Sequence, residues 1–225
     1  MNRAAWISIV SGSLTSIAAA PVLAAETGFY LSAGAGHAKE NPGKSIGTNI
    51  ATGFPPIAIQ HIDPDRVDVD GSDVAWSAAV GYRFNPHVAA EVAYMDFGTT
   101  DFSEHYRFSS LPIPLSGEFV RAYSSKVTGP ALSVLGSLPV GKGFDVFLRA
   151  GVLFADRKLE VAQSVGLGAT TFGSKVWLGG VGVDWSFASR WALQAEYQRT
   201  GNLDATFLAG DTDLERVSLS VLFRL

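Results

Sequence analysis

The 225-residue chain carries 17 Lys and Arg against 21 Asp and Glu, a formal charge of −4, and it has no cysteine. Hydrophobic residues make up 47% and charged residues only 17%, below the roughly 25% usual in soluble domains. The mild acidity argues against a nucleic-acid partner, and the absence of thiols excludes a disulfide framework and thiolate metal sites.

The chain starts with a basic residue, Arg3, and runs from Ala4 to Ala20 through small and apolar side chains. Pro21-Val22-Leu23-Ala24 then offers small residues for cleavage after Ala24, or after Ala25 one residue on. This pattern predicts a secretory signal peptide over residues 1–24 and a mature domain over 25–225. Ser8, Ser11, Gly12, Ser13, Thr15 and Ser16 interrupt the apolar run and argue against a permanent anchor. No later stretch is apolar for long enough to make a spanning helix. An exported chain of this kind can enter a membrane only as a barrel.

A period of two governs the mature chain. The first predicted strand, from Thr27 to about Ala38, sets Phe29, Leu31, Ala33 and Ala35 against Tyr30, Ser32, Gly34 and Gly36. Lys39 to Ser72 reads as a long connection, broken by Pro42, Pro55, Pro56 and Pro64. The clearest signal lies between Asp73 and Gly98. Val74, Trp76, Ala78, Val80, Tyr82 and Phe84 alternate with Ala75, Ser77, Ala79, Gly81 and Arg83. After Asn85-Pro86-His87 the alternation resumes, with Val88, Ala90, Val92 and Tyr94 against Ala89, Glu91, Ala93 and Met95. Two such runs around a short turn make a hairpin, the second and third strands.

Gly98 to Glu118 reads as a second long connection. The fourth strand spans about Phe119 to Leu138, with a bulge expected at Gly129-Pro130. The fifth (Phe144 to about Ala155), the sixth (Lys175 to Phe187), the seventh (Trp191 to Gln198) and the eighth (Glu215 to Leu225) alternate cleanly. Short turns fall at Pro139–Gly143 and Ala188–Arg190, and longer connections at Asp156–Gly173 and Thr200–Asp213.

Eight strands with alternating long and short connections predict an all-β fold, an eight-stranded antiparallel up-and-down transmembrane β-barrel. Phe29, Tyr82, Phe84, Phe144, Trp185, Trp191 and Phe223 fall near the short-turn end and form an aromatic girdle. Tyr94, Phe154, Trp177 and Tyr197 fall near the other.

Three segments resemble a known family: Gly81 to Gly98, Leu132 to Asp156 and Val181 to Arg199 are similar to the OmpA-like transmembrane domain of outer-membrane β-barrels. The resemblance covers most of the mature chain outside the loops. It implies the outer membrane of a Gram-negative bacterium, with lipid, lipopolysaccharide and the outer-membrane assembly machinery as partners. Family members are surface structural proteins, adhesins, phage receptors or small conduits. No peptidoglycan-binding domain is expected beyond the barrel, so the resemblance does not imply wall anchoring. Val221, Phe223 and Leu225 resemble the family's C-terminal assembly signal, although the last residue is Leu where the family usually has Phe.

Glu91, Arg149, Glu196 and Arg216 are expected inside the barrel as one charge network. Similar barrels have such a cluster, read as a plug or gate. Two apolar loop stretches, with Phe54, Ile57 and Ile59 in the first and Leu111 and Ile113 in the second, are a candidate apolar site. They would form a lid over the lumen or the mouth for a small apolar ligand. Gly136 to Gly143 nearly spells a phosphate loop but ends in Gly143 and sits between strands. The glycines Gly34, Gly36, Gly180 and Gly182 relieve crowding in the lumen and do not mark a dinucleotide site. Asp63, Asp65, Asp68, Asp70 and Asp73 miss the calcium-loop spacing and read as a solvated loop, with a cation bridge to lipopolysaccharide as the rival. His37, His61, His87 and His105 lie at strand ends and in loops, without a nucleophile motif.

The sequence thus predicts a non-enzymatic structural or surface-interaction barrel with no cofactor, no metal site and no open pore. The alternative is a conduit for small hydrophobic molecules resembling the OmpW-like barrels, or a small gated ion pore.

Overall fold

The computed structural model describes residues 27–42, 48–52, 58–62, 64–70, 74–110, 115–161, 170–203 and 212–225. They form eleven strands: β1 (Gly28–Pro42), β2 (Thr48–Thr52), β3 (Ala58–Ile62), β4 (Arg66–Asp70), β5 (Val74–Asn85), β6 (Val88–Ser110), β7 (Leu115–Gly141), β8 (Phe144–Val161), β9 (Thr170–Ser186), β10 (Trp191–Thr200) and β11 (Thr212–Arg224). β1, β5, β6, β7, β8, β9, β10 and β11 follow one another around a ring. The ring closes where the first strand, β1, pairs the last, β11, and every pairing is antiparallel. Closure leaves no unpaired edge within the ring, as a bilayer requires.

The expected faces hold. On β5, exposed Val74, Trp76, Ala78 and Val80 alternate with buried Ala75 and Ala79, and Gly81 and Arg83 are buried further down the strand. An outward face this apolar belongs to lipid and not to water.

The short connections carry the turn chemistry they need. The Asn85 side chain accepts hydrogen bonds from the backbone N–H of His87 (2.8 Å) and of Val88 (3.0 Å). Gly141, Lys142 and Gly143 all have positive φ (100°, 53° and 80°), a region that favours glycine, and two of the three positions carry it. The sequence that resembled a phosphate loop is therefore strand and hairpin turn.

Three of the expected long connections are largely strand. β6 runs for 23 residues and β7 for 27, so little of Gly98 to Glu118 is loop. At about 3.4 Å per residue β6 is about 75 Å long, against an apolar band of about 25 Å. β8 and β9 likewise continue to Val161 and from Thr170. Lys39 to Ser72 contains the end of β1, the β2–β3 hairpin and β4, which pairs β6 from Arg66↔His105 to Asp70↔Asp101. Above the band the alternation persists with a different outward face. Lys126, Lys158 and Glu160 replace the aliphatics, while Phe102, Tyr123 and Leu159 stay buried and pack against Val67, Val69 and Phe172.

The bulge expected at Gly129-Pro130 is on the neighbouring strand. β7 keeps one register with β8 on both sides of Pro130, whose ring nitrogen has no proton to donate. The extra residue sits in β6 between Asp96 and Thr99, and Gly98 there has φ 78°.

Candidate functional site

The inward side chains stack in alternating polar and apolar layers. At the short-turn end, Arg83 reaches Asp184 (3.7 Å) and Asp145 (4.0 Å) and donates to the Pro86 carbonyl (3.3 Å). Above it Tyr30, Ala89, Leu135, Phe147, Ala192 and Leu222 make an apolar plug. Two glycines make room for it: a Cβ at Gly81 would strike the Tyr30 ring, and one at Gly182 the Phe147 ring.

The central layer holds the predicted charges. Arg149 Nη1 donates to Glu91 Oε1 (2.5 Å), while its Nε and Nη2 donate to the two oxygens of Glu196 (2.6 and 3.2 Å). One guanidinium on β8 thus joins acids from β6 and β10 across the lumen. All three residues are buried, and the fork geometry makes the Glu196 contact bidentate. The Tyr30 hydroxyl donates to Glu91 Oε2 (3.1 Å) from the plug below. Gly180 is small where it must be, since a Cβ there would lie 2.6 Å from Glu196 Oε1. Arg216 faces the same layer without joining the ion pairs. It donates to Ser77 Oγ (2.8 Å) and Gln198 Oε1 (3.5 Å), and its buried Nε has no hydrogen-bond partner among the described residues. The space left among these residues is about 10 Å³, room for a single water.

Two further ion layers lie above an apolar zone that includes Met95, Phe97, Leu153, Leu178 and Leu214. Arg157 Nη2 donates to Glu40 Oε1 (2.5 Å), which also accepts from Thr212 Oγ1 (2.8 Å). Higher still, Glu104 accepts from Arg121 Nε (2.9 Å), the Tyr106 hydroxyl (2.6 Å) and the Tyr123 hydroxyl (3.4 Å). Burial, reinforced by the Glu104 charge, pushes the Tyr123 phenol above its usual range. Sequence reasoning missed Glu40, Arg157, Glu104 and Arg121 as lumen residues because it placed the first three in loops and assigned no faces to the upper fourth strand. Parity carried the signal. Arg157 continues the odd-numbered inward series Asp145, Phe147, Arg149, Gly151, Leu153 and Ala155 without a break.

The seven girdle residues line the outer wall near the short turns. Ring centroids are 4.8 Å apart for Phe29–Tyr82, 5.0 Å for Tyr82–Phe84, 5.9 Å for Phe144–Trp185 and 4.7 Å for Trp191–Phe223. Phe187 joins them, 5.8 Å from Trp185. Val221, Phe223 and Leu225 point outward, and the Leu225 N–H donates to the Phe29 carbonyl (3.1 Å) beside the β1–β11 seam. Of the apolar loop residues, Phe54, Ile57, Leu111 and Ile113 lie outside the described residues, and Ile59 is described only as part of the β3 backbone. Asp68, expected in a solvated loop, lies on β4, hydrogen-bonded by Arg66 Nε (2.8 Å) and 3.0 Å from His105 Nε2. The Arg66 hydrogen bond holds its carboxyl below the usual range. Asp63 and Asp73 lie outside the described residues.

A closed ring of eight antiparallel strands, apolar outside and filled with charged pairs inside, is a transmembrane β-barrel. Residues 24–225 match the OmpA-like transmembrane domain, and the chain belongs to that family of Gram-negative outer-membrane barrels. The fold is similar to that of Neisserial surface protein A, at 14% identity and a TM-score of 0.53 over 88% of this chain and 97% of that one. Two others are OprG from Pseudomonas aeruginosa (15% identity, TM-score 0.49, 91% and 100% covered) and the Yersinia pestis attachment invasion locus protein Ail with a heparin analogue (11%, 0.47, 88% and 99%). At these identities the likeness is one of fold. No curated protein matches the chain.

Proposed function

We propose that the protein is a closed, non-enzymatic barrel, exported with loss of residues 1–24, that holds a folded β-extension above the outer membrane as an interaction surface. The observation that carries this reading is Arg149, which ties Glu91 to Glu196 across the lumen and leaves about 10 Å³ beside them. An ion or an apolar solute would have to break that pair and displace the Phe147 plug below it. Parting the pair would leave buried charges without partners, and the loss of one partner from such a pair costs about 3–5 kcal/mol. An eight-stranded barrel is just wide enough for its own side chains to fill.

The extension gives the closed barrel something to present. β4, β6, β7 and β8 rise past the band with their own buried cluster, so the surface is ordered and not a floppy loop. Lipopolysaccharide and a surface partner are the partners that fit this position. The test is a planar-bilayer recording of the purified protein, paired with binding of a long-chain fatty acid. A silent trace without fatty-acid binding is expected. Stable ohmic steps in the wild type would make it a pore, and saturable fatty-acid uptake would make it a conduit.

A further inference from the structure

The outer wall formed by β1, β5, β6 and β7 is not smooth. Ala78 on β5 stands opposite Ala33 on β1 and Tyr94 on β6, so small side chains lie beside tall ones. Leu31, Val80, Val92, Tyr94 and Pro130 rise around Ala78 and frame an open apolar groove of about 470 Å³. The groove lies in the lipid-facing band, where leaving it empty would forfeit the dispersion contacts of every wall atom. At its upper end the rings of Trp76 and Tyr94 are 6.0 Å apart, an aromatic pair of the interfacial kind. Above Pro130, the next outward positions on β7 are Thr128 and Lys126. Lys126 stands about 14 Å up the strand at about 3.4 Å per residue, near where an acyl chain gives way to its headgroup. Its Nζ lies 3.1 Å from Asp96 Oδ2 with the side chain 47% exposed, so further ammonium donors remain for a headgroup.

We propose that this groove holds one acyl chain of a phosphorylated outer-leaflet glycolipid, with the phosphate at Lys126. The end with the long connections faces outward, which selects the outer leaflet. The inference rests on the barrel's place in the membrane and not on the lumen being closed, so conductance would leave it standing. The groove is apolar along its length, and Lys126, with Lys158 opposite it on β8, stands at the headgroup end, which matches an amphiphile with a phosphate better than the apolar wall of a second barrel.

The test uses the purified full barrel in detergent, titrated with diphosphoryl lipid A and followed by native mass spectrometry. One glycolipid per barrel is expected for wild type and for Ala150→Phe, an outward control on β8. Ala78→Phe, which fills the groove, is expected to weaken binding about tenfold or more, as the loss of a few buried methylenes requires. Lys126→Ala is expected to weaken binding of the diphosphoryl lipid but not of its dephosphorylated form. Ala78→Leu carries the same test if the Phe variant does not show the heat-shifted gel mobility of a folded barrel. Equal binding by wild type and the groove-filled variant overturns the proposal. So does equal affinity for phosphatidylethanolamine, or loss of a dimer in place of loss of lipid.

Discussion

The lumen is decided by single residues, each of which can be tested alone. Arg149→Ala would leave Glu91 and Glu196 buried without a cation, at a cost of about 3–5 kcal/mol. Glu91→Gln together with Arg149→Ala should cost less than the sum of the two, because the second change removes a charge the first left unpaired. The midpoint of urea unfolding in detergent reads both, and strict additivity would show that the charges act independently. The plug makes a complementary prediction. Gly182→Leu puts a side chain where the Phe147 ring lies and should block assembly, measured as the fraction of heat-shifted protein after refolding. Phe147→Ala in the same chain should restore assembly only in part, because the Ala195 carbonyl oxygen, 2.5 Å from the leucine Cβ, stays in place. If Gly182→Leu alone assembles at wild-type yield, Phe147 does not rest on that glycine.

At the scale of the element, β4 depends on what it packs against. Val67 and Val69 lie against Phe102, Tyr123 and Leu159 on the inner side, while Arg66, Asp68 and His105 join β4 to β6 outside. Val69→Asp should therefore speed amide exchange across Arg66–Asp70 and leave β10 and β11 unchanged. Asp68 adds a pH dependence of known sign. Its carboxyl is held below its free value, so it stabilises the pairing above about pH 4 and loses that contribution as pH falls through the folded value. Protection of the β4 amides should fall in that window, and Asp68→Asn should remove the dependence. The sequence was legible wherever one face had to be apolar. The lipid-facing parts of β5, β6, β8, β9, β10 and β11 were read with the right parity because Val, Leu, Trp and Phe are confined to one side. It was less legible above the band. There the outward residues become Lys, Glu, Asp and Ser, the contrast between faces drops, and strand reads as loop. The bulge was misplaced for a related reason. Proline on β7 is conspicuous in sequence, whereas the residue actually inserted, at Phe97-Gly98 on β6, is ordinary until its backbone angle is seen.

For the whole molecule, everything depends on the outward stripe lying in lipid, and depth makes that testable. Val80 is 51% exposed on the outer wall of β5, opposite Leu31 on β1 and Val92 on β6, in the middle of the apolar band. Val74 has the same orientation at the upper end of that strand, opposite His37. Ala79 points the other way, into the lumen. Charge on a lipid face is costly in proportion to depth, about 2–4 kcal/mol for Arg at the midplane and about 0–1 kcal/mol near the interface. Val80→Arg should therefore lower folding stability in phospholipid vesicles by the larger amount and Val74→Arg by the smaller. Ala79→Ser adds one hydroxyl to a polar lumen and should change little. Urea titrations of refolding into vesicles, read as heat-shifted gel mobility, supply all three values. A wall that faced water would accept arginine at both heights with little loss. Equal costs at Val80 and Val74 would therefore show that the stripe does not cross a bilayer, whatever the ring of strands resembles.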